Sequence, residues 1–306
     1  MAEKKVIVTG AFGFIGRSVA RHLAKLGWEV VGLGHGKWSR QEWETWGLTE
    51  WHTCDITLNS LLSYADTPDL IVHCAGSGSV NFSMTHPMQD YQRTVATTLN
   101  VLEFMRLYAQ NSKLVYPSSA AVYGNADKLP ILESAPLKPI SPYGVHKMLS
   151  EQICRSFARH FGIHVAVVRL FSVYGRGLRK QLLWDACNKI SKGDMTFFGT
   201  GNEVRDWLHI DDVATLLSCA GAHASPACPI VNGATGYGTS VRDILSEMLR
   251  TRRISVEPRF NDLPRPGDPP GYIGDISRAM KWGWKPTVYW KDGVKDYVQW
   301  HTEESP

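Results

Sequence analysis

Five short, continuous runs of apolar residues place the strongest constraint on the fold of this chain. They are KVIVTG at 5–10, EVVGL at 29–33, LIVHCAG at 70–76, KLVYPSS at 113–119 and HVAVVRLF at 164–171. Because the runs do not alternate with polar residues, each predicts a strand that is covered on both faces. Helical patterns lie between them, so the sequence predicts a parallel sheet with helices on both sides.

The helical patterns also carry end signals. Apolar residues recur at helical spacing from Phe14 to Leu26, and Gly27 supplies the stop. A second helix is predicted from Tyr143 to about Phe161, with Ser141 as its cap. We expect a Rossmann-type doubly wound parallel sheet, formed by residues 1–171 plus about 206–235. A smaller α/β C-terminal substrate-binding domain is expected from about 172–205 plus 236–306.

Composition excludes several classes of protein. The net charge of +4 comes from 33 basic and 29 acidic residues without a run of like charge, so a nucleic-acid partner is not expected. No apolar segment approaches the ~20 residues that span a bilayer, so no membrane association is expected. The six cysteines form neither a C-x-x-C pair nor a metal-ligand cluster. Most of them are expected to be buried thiols, and we expect no metal and a reducing cytoplasmic location.

The stretch TGAFGFIG, Thr9 to Gly16, lies between a predicted strand and a predicted helix. Gly10 permits a tight turn, Gly13 lets the backbone approach a pyrophosphate, and Gly16 permits close helix packing. The helix N-terminus beyond supplies unpaired N–H groups to phosphates. The stretch therefore predicts a dinucleotide-binding loop; the alternative is a glycine-rich turn with no ligand.

The stretch VVGLGHGKWSR at 30–40 lacks the acidic residue that binds the ribose hydroxyls of NAD in such loops. Gly34 and His35 occupy its place, and Lys37 and Arg40 follow within reach of a 2'-phosphate. A solvated loop would contain such residues too. The stretch favours NADP(H) as the cofactor, with NAD(H) as the alternative.

A tyrosine and a lysine begin the second predicted helix. Tyr143 and Lys147 are four residues apart, which places both side chains on one helix face. An ammonium near a phenol lowers the pKa of the phenol, so Tyr143 is a candidate acid and base, with an ordinary surface pair as the alternative. Ser118 and Ser119 end a predicted strand at the sheet edge where ligands of such folds bind. Either hydroxyl can bond the oxygen that Tyr143 protonates, or form a turn.

Further motifs carry a family resemblance: GTGNEVRDWLHIDDVA at 199–214, RPGD at 265–268, GDISRAMKWGWKP at 274–286 and DGVKDYVQW at 292–300. With the glycine loop, LIVHCAG, Ser119, Tyr143 and Lys147, they make nearly the whole chain resemble the extended short-chain dehydrogenase/reductases. The resemblance is to the group of nucleotide-sugar epimerases, dehydratases and reductases.

The resemblance implies roles for individual residues. Ser119, Tyr143 and Lys147 match its catalytic serine, acid/base and lysine. The implied cofactor contacts are Gly10, Phe12, Gly13, Phe14, Ile15, Gly16, His35, Lys37, Arg40, Asp55, Ile56, Cys74, Ala75, Gly76, Tyr143 and Lys147. The implied substrate contacts are Ser79, Ser118, Ser119, Ser172, Arg205 and Arg265. The two arginines match residues that grip the diphosphate of the sugar nucleotide, although a surface ion pair is the alternative for each.

Three positions depart from the pattern of the group. Thr94 and Ser172 stand where many members have asparagine, and Arg176 replaces a common proline. We therefore expect a substrate pocket that differs from those of the best-known members. Members of the group usually form homodimers through two helices, here near 88–110 and 143–161.

The residues after Ser119 narrow the reaction. In the 4,6-dehydratases of this group an Asp-Glu pair follows this position, whereas this chain has Ala120 and Ala121, which cannot transfer a proton. The sequence favours an NADPH-dependent reductase of a nucleoside-diphosphate 4-keto-hexose. The alternative is an NAD-dependent 4-epimerase acting on C4 of a nucleoside-diphosphate hexose. A non-catalytic nucleotide-binding regulator ranks low, because the serine, tyrosine and lysine are all present.

Overall fold

The computed structural model describes residues 4–263 and 271–304. The strands of this part of the chain are β1 Lys5–Thr9, β2 Glu29–Gly34, β3 Glu50–Thr53, β4 Leu70–His73, β5 Lys113–Ser119, β6 His164–Leu170, β7 Ser172–Tyr174, β8 Thr196–Phe197, β9 Val204–Arg205, β10 Trp207–His209, β11 Ile230–Gly233, β12 Thr239–Ser240 and β13 Arg259–Phe260. Its helices are α1 Phe14–Lys25, α2 Arg40–Thr45, α3 Leu58–Tyr64, α4 Val80–Thr85, α5 Pro87–Tyr91, α6 Thr97–Tyr108, α7 Pro142–Phe161, α8 Gln181–Ser191, α9 Ile210–His223, α10 Val241–Thr251, α11 Ser277–Lys281 and α12 Trp290–Glu304.

A seven-stranded sheet forms the centre of the fold, in the order β11-β6-β5-β4-β1-β2-β3. Every neighbouring pair in it is parallel. The five predicted strands are confirmed as β1, β2, β4, β5 and β6, and the Rossmann-type fold is confirmed with them. The two strands that the apolar pattern missed lie at the edges of the sheet. β3, for example, has the sequence EWHT, in which no side chain is fully buried.

Each inner strand sends side chains to two separate cores. On one face, Val6 and Val8 of β1 join a cluster with Leu23 of α1 and Leu217 of α9. On the other face, Ile7 joins a cluster with side chains of α6 and α7. Burying one such aliphatic side chain contributes roughly 1.5–3 kcal/mol. This double burial explains why the runs that predicted the strands are continuous.

The two predicted helices have the expected ends. α1 ends at Lys25, and Gly27 follows with φ of +82°. At the start of α7, the Ser141 hydroxyl accepts a hydrogen bond from the Gly144 N–H at 3.2 Å. Gly162, with φ of +71°, ends α7 in the left-handed conformation that glycine favours.

The C-terminal part of the chain packs around a further core. Met248 of α10, Tyr297 of α12 and Ile190 of α8 are buried together there. Small two-stranded sheets pair β7 with β10, β9 with β12 and β8 with β13. Among the helices of the described residues, none has both the length and the apolar character that crossing a bilayer requires.

Candidate active site

The loop between β1 and α1 has the geometry of a phosphate cradle. Gly10 has φ of +68°, and a Cβ there would lie 2.6 Å from the Ala75 nitrogen. A Cβ at Gly16 would lie 2.2 Å from the Gly10 carbonyl oxygen, so both positions require glycine. Gly13 caps α1 without a side-chain hydrogen bond, and the first turn of α1 has no acidic residue. Its N–H groups are therefore open to an anion, and the loop fits the pyrophosphate of a dinucleotide.

The segment after β4 lies against this loop. The Thr9 hydroxyl accepts a hydrogen bond from the Ala75 N–H at 3.2 Å and lies 2.7 Å from Nδ1 of His73. Burial lowers the pKa of His73 to about 3, so its ring is neutral at physiological pH. Burial also raises the pKa of Cys74 to about 12, which keeps its thiol protonated. The structure therefore places the predicted cofactor-contact segment, Cys74, Ala75 and Gly76, next to the glycine loop.

The end of β2 explains why no acidic residue stands there. Gly34 has φ of +144°, and a Cβ would lie 3.2 Å from the Gly10 nitrogen, so any side chain would strain the backbone. The next residue, His35, places its Nε2 2.7 Å from Oδ1 of Asp55. Both of these side chains are exposed. Two predicted cofactor contacts therefore pair with each other, across the loop that follows β2.

The remaining basic residues of this stretch are less available to a phosphate than the sequence implies. Nε of Arg40 donates to Oε1 of Glu44 at 2.7 Å, within α2. Lys37 is exposed to solvent. Because His35 and Arg40 are each paired with a carboxylate, the physical case for a 2'-phosphate site is weaker than the sequence suggests.

A cation that the sequence interpretation missed, Arg17, lies beside this stretch. Its Nε donates to the Phe12 carbonyl oxygen at 3.1 Å. Its guanidinium lies 5.1 Å from the ring of Phe12, 5.5 Å from that of Trp38 and 5.3 Å from that of Trp46. Burial, and then the charge of Arg179, lower the pKa of Arg17. The sequence feature that could have identified Arg17 is its position directly after Gly16, the last glycine of the loop.

The two serines at the end of β5 point in opposite directions, as consecutive strand residues do. The Ser118 hydroxyl donates to Oε1 of Glu151 at 2.6 Å in a buried network that includes Arg169. Ser118 therefore has a structural position, which differs from the predicted contact with substrate. The Ser119 hydroxyl accepts from the Ala121 N–H at 3.2 Å, and it lies near enough to the Tyr143 phenol to lower the pKa of that phenol. The structure thus brings Ser119 and Tyr143 together.

Tyr143 lies in the first turn of α7, where its N–H donates to the Ser83 hydroxyl at 3.0 Å. Burial raises the pKa of Tyr143, the nearby Ser119 hydroxyl lowers it, and the charge of Asp90 raises it further. The net direction is opposite to the predicted one. Desolvation of the phenolate outweighs the stabilisation that was expected from Lys147.

Lys147 lies one turn further along α7 and is only 7% exposed. Its Nζ donates to the Pro117 carbonyl oxygen at 2.9 Å and lies 4.9 Å from the centre of the Tyr116 ring. Burial lowers the pKa of Lys147 to about 8, against the nearby thiol of Cys74 and nearby carboxylates, which raise it. The ammonium is therefore still the main form at neutral pH, and it loses its proton just above that range.

The predicted substrate contacts lie on several elements. The Ser79 hydroxyl accepts from the Phe82 N–H at 3.2 Å at the start of α4, and Ser172 is half-buried at the start of β7. Nη1 of Arg205 donates to the Val204 carbonyl oxygen at 2.9 Å. Arg265 lies outside the described residues.

Two positions that depart from the pattern of the group also lie in this region. The Thr94 hydroxyl accepts a hydrogen bond from the Ser77 N–H at 3.3 Å, and Arg176 forms an ion pair with Asp296.

A second missed cation, Lys180, joins the two parts of the chain at this edge. A Cβ built at Gly78 would lie 3.3 Å from its Nζ. Lys180 is the N-terminal cap residue of α8, and burial lowers the pKa of its ammonium. Lys180 therefore brings a positive charge to the segment that follows β4.

Comparison with known proteins identifies the family. The profile of the NAD dependent epimerase/dehydratase family matches residues 6–232. The chain belongs to this family. The assignment confirms the extended short-chain dehydrogenase/reductase resemblance and an enzyme of that class.

Two family members that are similar to this chain over nearly its whole length are 4-epimerases. A putative UDP-glucose 4-epimerase of Methanocaldococcus jannaschii is 31% identical, covering 96% of this chain and 97% of that protein. A UDP-glucose 4-epimerase of Azospirillum brasilense is 29% identical, covering 98% and 92%.

Solved structures of the family agree with this. A UDP-glucose 4-epimerase of Thermotoga maritima, determined with UDP-glucose, has a TM-score of 0.88 at 26% identity and covers 99% of this chain and 100% of its own. A UDP-glucuronic acid 4-epimerase of Bacillus cereus, determined with UDP-glucuronic acid and NAD, has a TM-score of 0.87 at 25% identity and covers 98% and 99%. These relatives support the epimerase alternative better than the reductase that the sequence favoured.

Proposed function

We propose that this protein is an NAD-dependent 4-epimerase of a nucleoside-diphosphate hexose, with a UDP-sugar as the first candidate substrate. The observation that carries the proposal is the grouping of Ser119 beside the Tyr143 phenol, with Lys147 one turn along the same helix. This group lies at the carboxyl ends of the sheet strands, where the glycine loop also lies. The similar 4-epimerases support the reaction class.

The roles of the three residues follow from their chemistry. Bound NAD would supply hydride transfer, accepting a hydride from the carbon that carries the reacting hydroxyl and returning it to the opposite face of that carbon. Tyr143 removes the proton of that hydroxyl and gives it back at the end. Ser119 donates a hydrogen bond to the same oxygen, and Lys147 supplies the positive charge that favours the phenolate. Because the proton and the hydride both return, the cycle needs no added reductant.

The cofactor proposal rests on the end of β2. His35 and Arg40 are paired with Asp55 and Glu44, and the Asp55 carboxylate would repel a nearby 2'-phosphate. The similar B. cereus structure contains NAD. We therefore propose NAD(H) in place of the NADP(H) that the sequence favoured. NADPH-dependent reduction of a 4-keto sugar is the second candidate, favoured by Gly34 and the nearby Arg17.

Purified protein incubated with a panel of UDP-hexoses and their 4-keto derivatives distinguishes the two candidates. The proposal predicts inversion at C4 without net change in the absorbance of reduced nicotinamide. Stoichiometric loss of NADPH on a 4-keto sugar would identify the reductase instead. The same protein should bind NADH more tightly than NADPH by calorimetry.

Three further assignments are part of the proposal. Arg205 and Arg265 are proposed to bind the diphosphate, and the domain division stays as predicted from the sequence.

A homodimer through α6 and α7 is supported by large apolar side chains that are exposed on these helices, such as Leu99, Tyr108 and Phe161. Light scattering should give twice the mass of the chain, 34.2 kDa. A monomeric mass would contradict this assembly.

A further inference from the structure

A fully buried carboxylate on α5 faces the catalytic helix. Asp90 is 0% exposed, and its Oδ2 lies 2.5 Å from Nδ1 of His146 on α7. Its other oxygen, Oδ1, is buried without a hydrogen-bond partner among the described residues. Burying an ionised carboxylate costs free energy unless all its lone pairs are satisfied. A carboxylate kept in this position therefore calls for a purpose beyond packing.

His146 connects this carboxylate to the reacting residues. It lies three residues after Tyr143 and directly before Lys147, so Tyr143, His146 and Lys147 share one side of the first turns of α7. Its ring packs edge-on against Tyr91 at 5.6 Å, and its side chain is 11% exposed. The imidazole thus fixes Asp90 beside the catalytic pair.

The segment that carries Asp90 is also fixed to the start of α7 by a neutral contact. Ser83 of α4 accepts the hydrogen bond from the Tyr143 N–H. After α5 the chain continues into a π-helical turn at Gln92–Ala96, an irregularity that is frequent at functional sites. The α4–α5 segment therefore contacts α7 in two ways, one charged and one neutral.

The charge of Asp90 acts on both reacting groups. It raises the pKa of Tyr143, where burial is the larger cause, and it opposes the effect of burial on the pKa of Lys147. The titratable and charged groups that face these residues from the surrounding described elements are His73, Cys74, His86, Tyr91, Arg93, Tyr116, Tyr143, His146, Lys147, Glu151 and Cys154. Asp90 is the carboxylate that acts on Tyr143 and Lys147 together.

We propose that Asp90, held by His146, is a positioning residue that presents a buried negative charge to Tyr143 and Lys147 and so controls when Tyr143 releases its proton. The role in turnover rests on the proposed epimerase function. The charge of Asp90 stabilises the ammonium form of the buried Lys147. It opposes ionisation of Tyr143 before the cofactor and sugar are bound. A bound cofactor and sugar must then supply the remaining stabilisation of the phenolate.

The test follows the ionisation of Tyr143 directly, and its main readout needs no sugar. The near-ultraviolet absorbance of phenolate is titrated in NAD-loaded protein, as the difference between each variant and the same variant with Tyr143→Phe. In Asp90→Asn the Tyr143 transition should move to lower pH by about one unit, because a nearby negative charge is removed. The acidic limb of the pH profile of kcat should move in the same direction.

Ser83→Ala is the matched control, since it removes the neutral contact of the same segment and no charge. It should lower the rate and leave the transition in place. His146→Gln keeps the carboxylate and is the second variant should Asp90→Asn fail to fold; its transition should stay or move to higher pH. A transition that does not move in Asp90→Asn, or that moves equally in Ser83→Ala, or that falls in His146→Gln, would overturn the proposal. Absence of epimerisation by unmodified protein would instead reject the proposed function and leave this titration valid.

Discussion

The two ends of the candidate cofactor site differ in how the chain holds them. At the catalytic end, Lys147 is buried and donates to the carbonyl oxygen of Pro117, and Ser119 lies beside the Tyr143 phenol. At the other end, His35 and Asp55 form a pair in which both side chains are more than 70% exposed. Burial makes electrostatic interactions strong at the first end, and solvent makes them weak at the second. We therefore expect buried contacts to set the arrangement of the candidate catalytic residues, whereas the choice of cofactor is expected to rest on small energies.

The largest expected effect comes from the catalytic end. Tyr143→Phe should lower kcat by about 10³-fold, because general acid–base catalysis is lost while the ring still packs. Binding of NADH, measured by calorimetry, should not change. Tyr116→Phe removes another buried phenol hydroxyl beside Lys147 and serves as the control, with activity within a few-fold of normal. A Tyr143→Phe variant that retains turnover would place the acid/base elsewhere.

The network beneath the catalytic end should dominate stability. Arg169 donates to the two carboxylate oxygens of Glu151 from Nη2 at 2.7 Å and from Nε at 2.9 Å, and both side chains are 1% exposed. Arg169→Met leaves the buried carboxylate unpaired and should lower the free energy of unfolding in urea by about 3–5 kcal/mol. Arg176→Met breaks the exposed pair with Asp296 and should cost less than about 1 kcal/mol. Equal losses in the two variants would show that burial does not set these energies.

Substitution of Gly34 tests whether backbone strain explains the absence of an acidic residue at the end of β2. Gly34→Asp should lower the free energy of unfolding by about 1–3 kcal/mol, because φ is +144° and Gly10 lies close. Gly27→Asp is the matched control, since φ is +82° but nothing lies within 4 Å of a Cβ there. Its loss of stability should be smaller. If Gly34→Asp were as stable as the unmodified protein, strain would not explain the missing acid.

The smallest effect is expected at the exposed pair. His35→Ala should weaken NADH binding by less than about fivefold, since exposed ion pairs contribute little. Arg40→Ala should leave binding unchanged, because Arg40 is paired within α2 and is 82% exposed. Calorimetry with NADH and NADPH measures both. A loss of more than tenfold for NADPH in Arg40→Ala would reveal a 2'-phosphate site and favour the reductase.

Local sequence patterns predicted the features that depend only on residues within one short segment of the chain. The glycine loop, the five inner strands and the positions of Tyr143 and Lys147 are of this kind. The direction of Ser118 and the pairing of Asp90 with His146 were not predictable, because they depend on which faces of distant elements meet. The pKa of Tyr143 was predicted in the wrong direction, since burial cannot be read from a four-residue spacing.

In the proposed reaction, the hydride returns to the same carbon of the sugar from which it left. The most direct test is incubation of the protein and NAD with UDP-glucose that carries deuterium at C4, followed by NMR of the sugar. The expected product is UDP-galactose that retains deuterium at C4, with no net formation of NADH. Loss of the label from C4, or inversion only when NADPH is added and consumed, would contradict it.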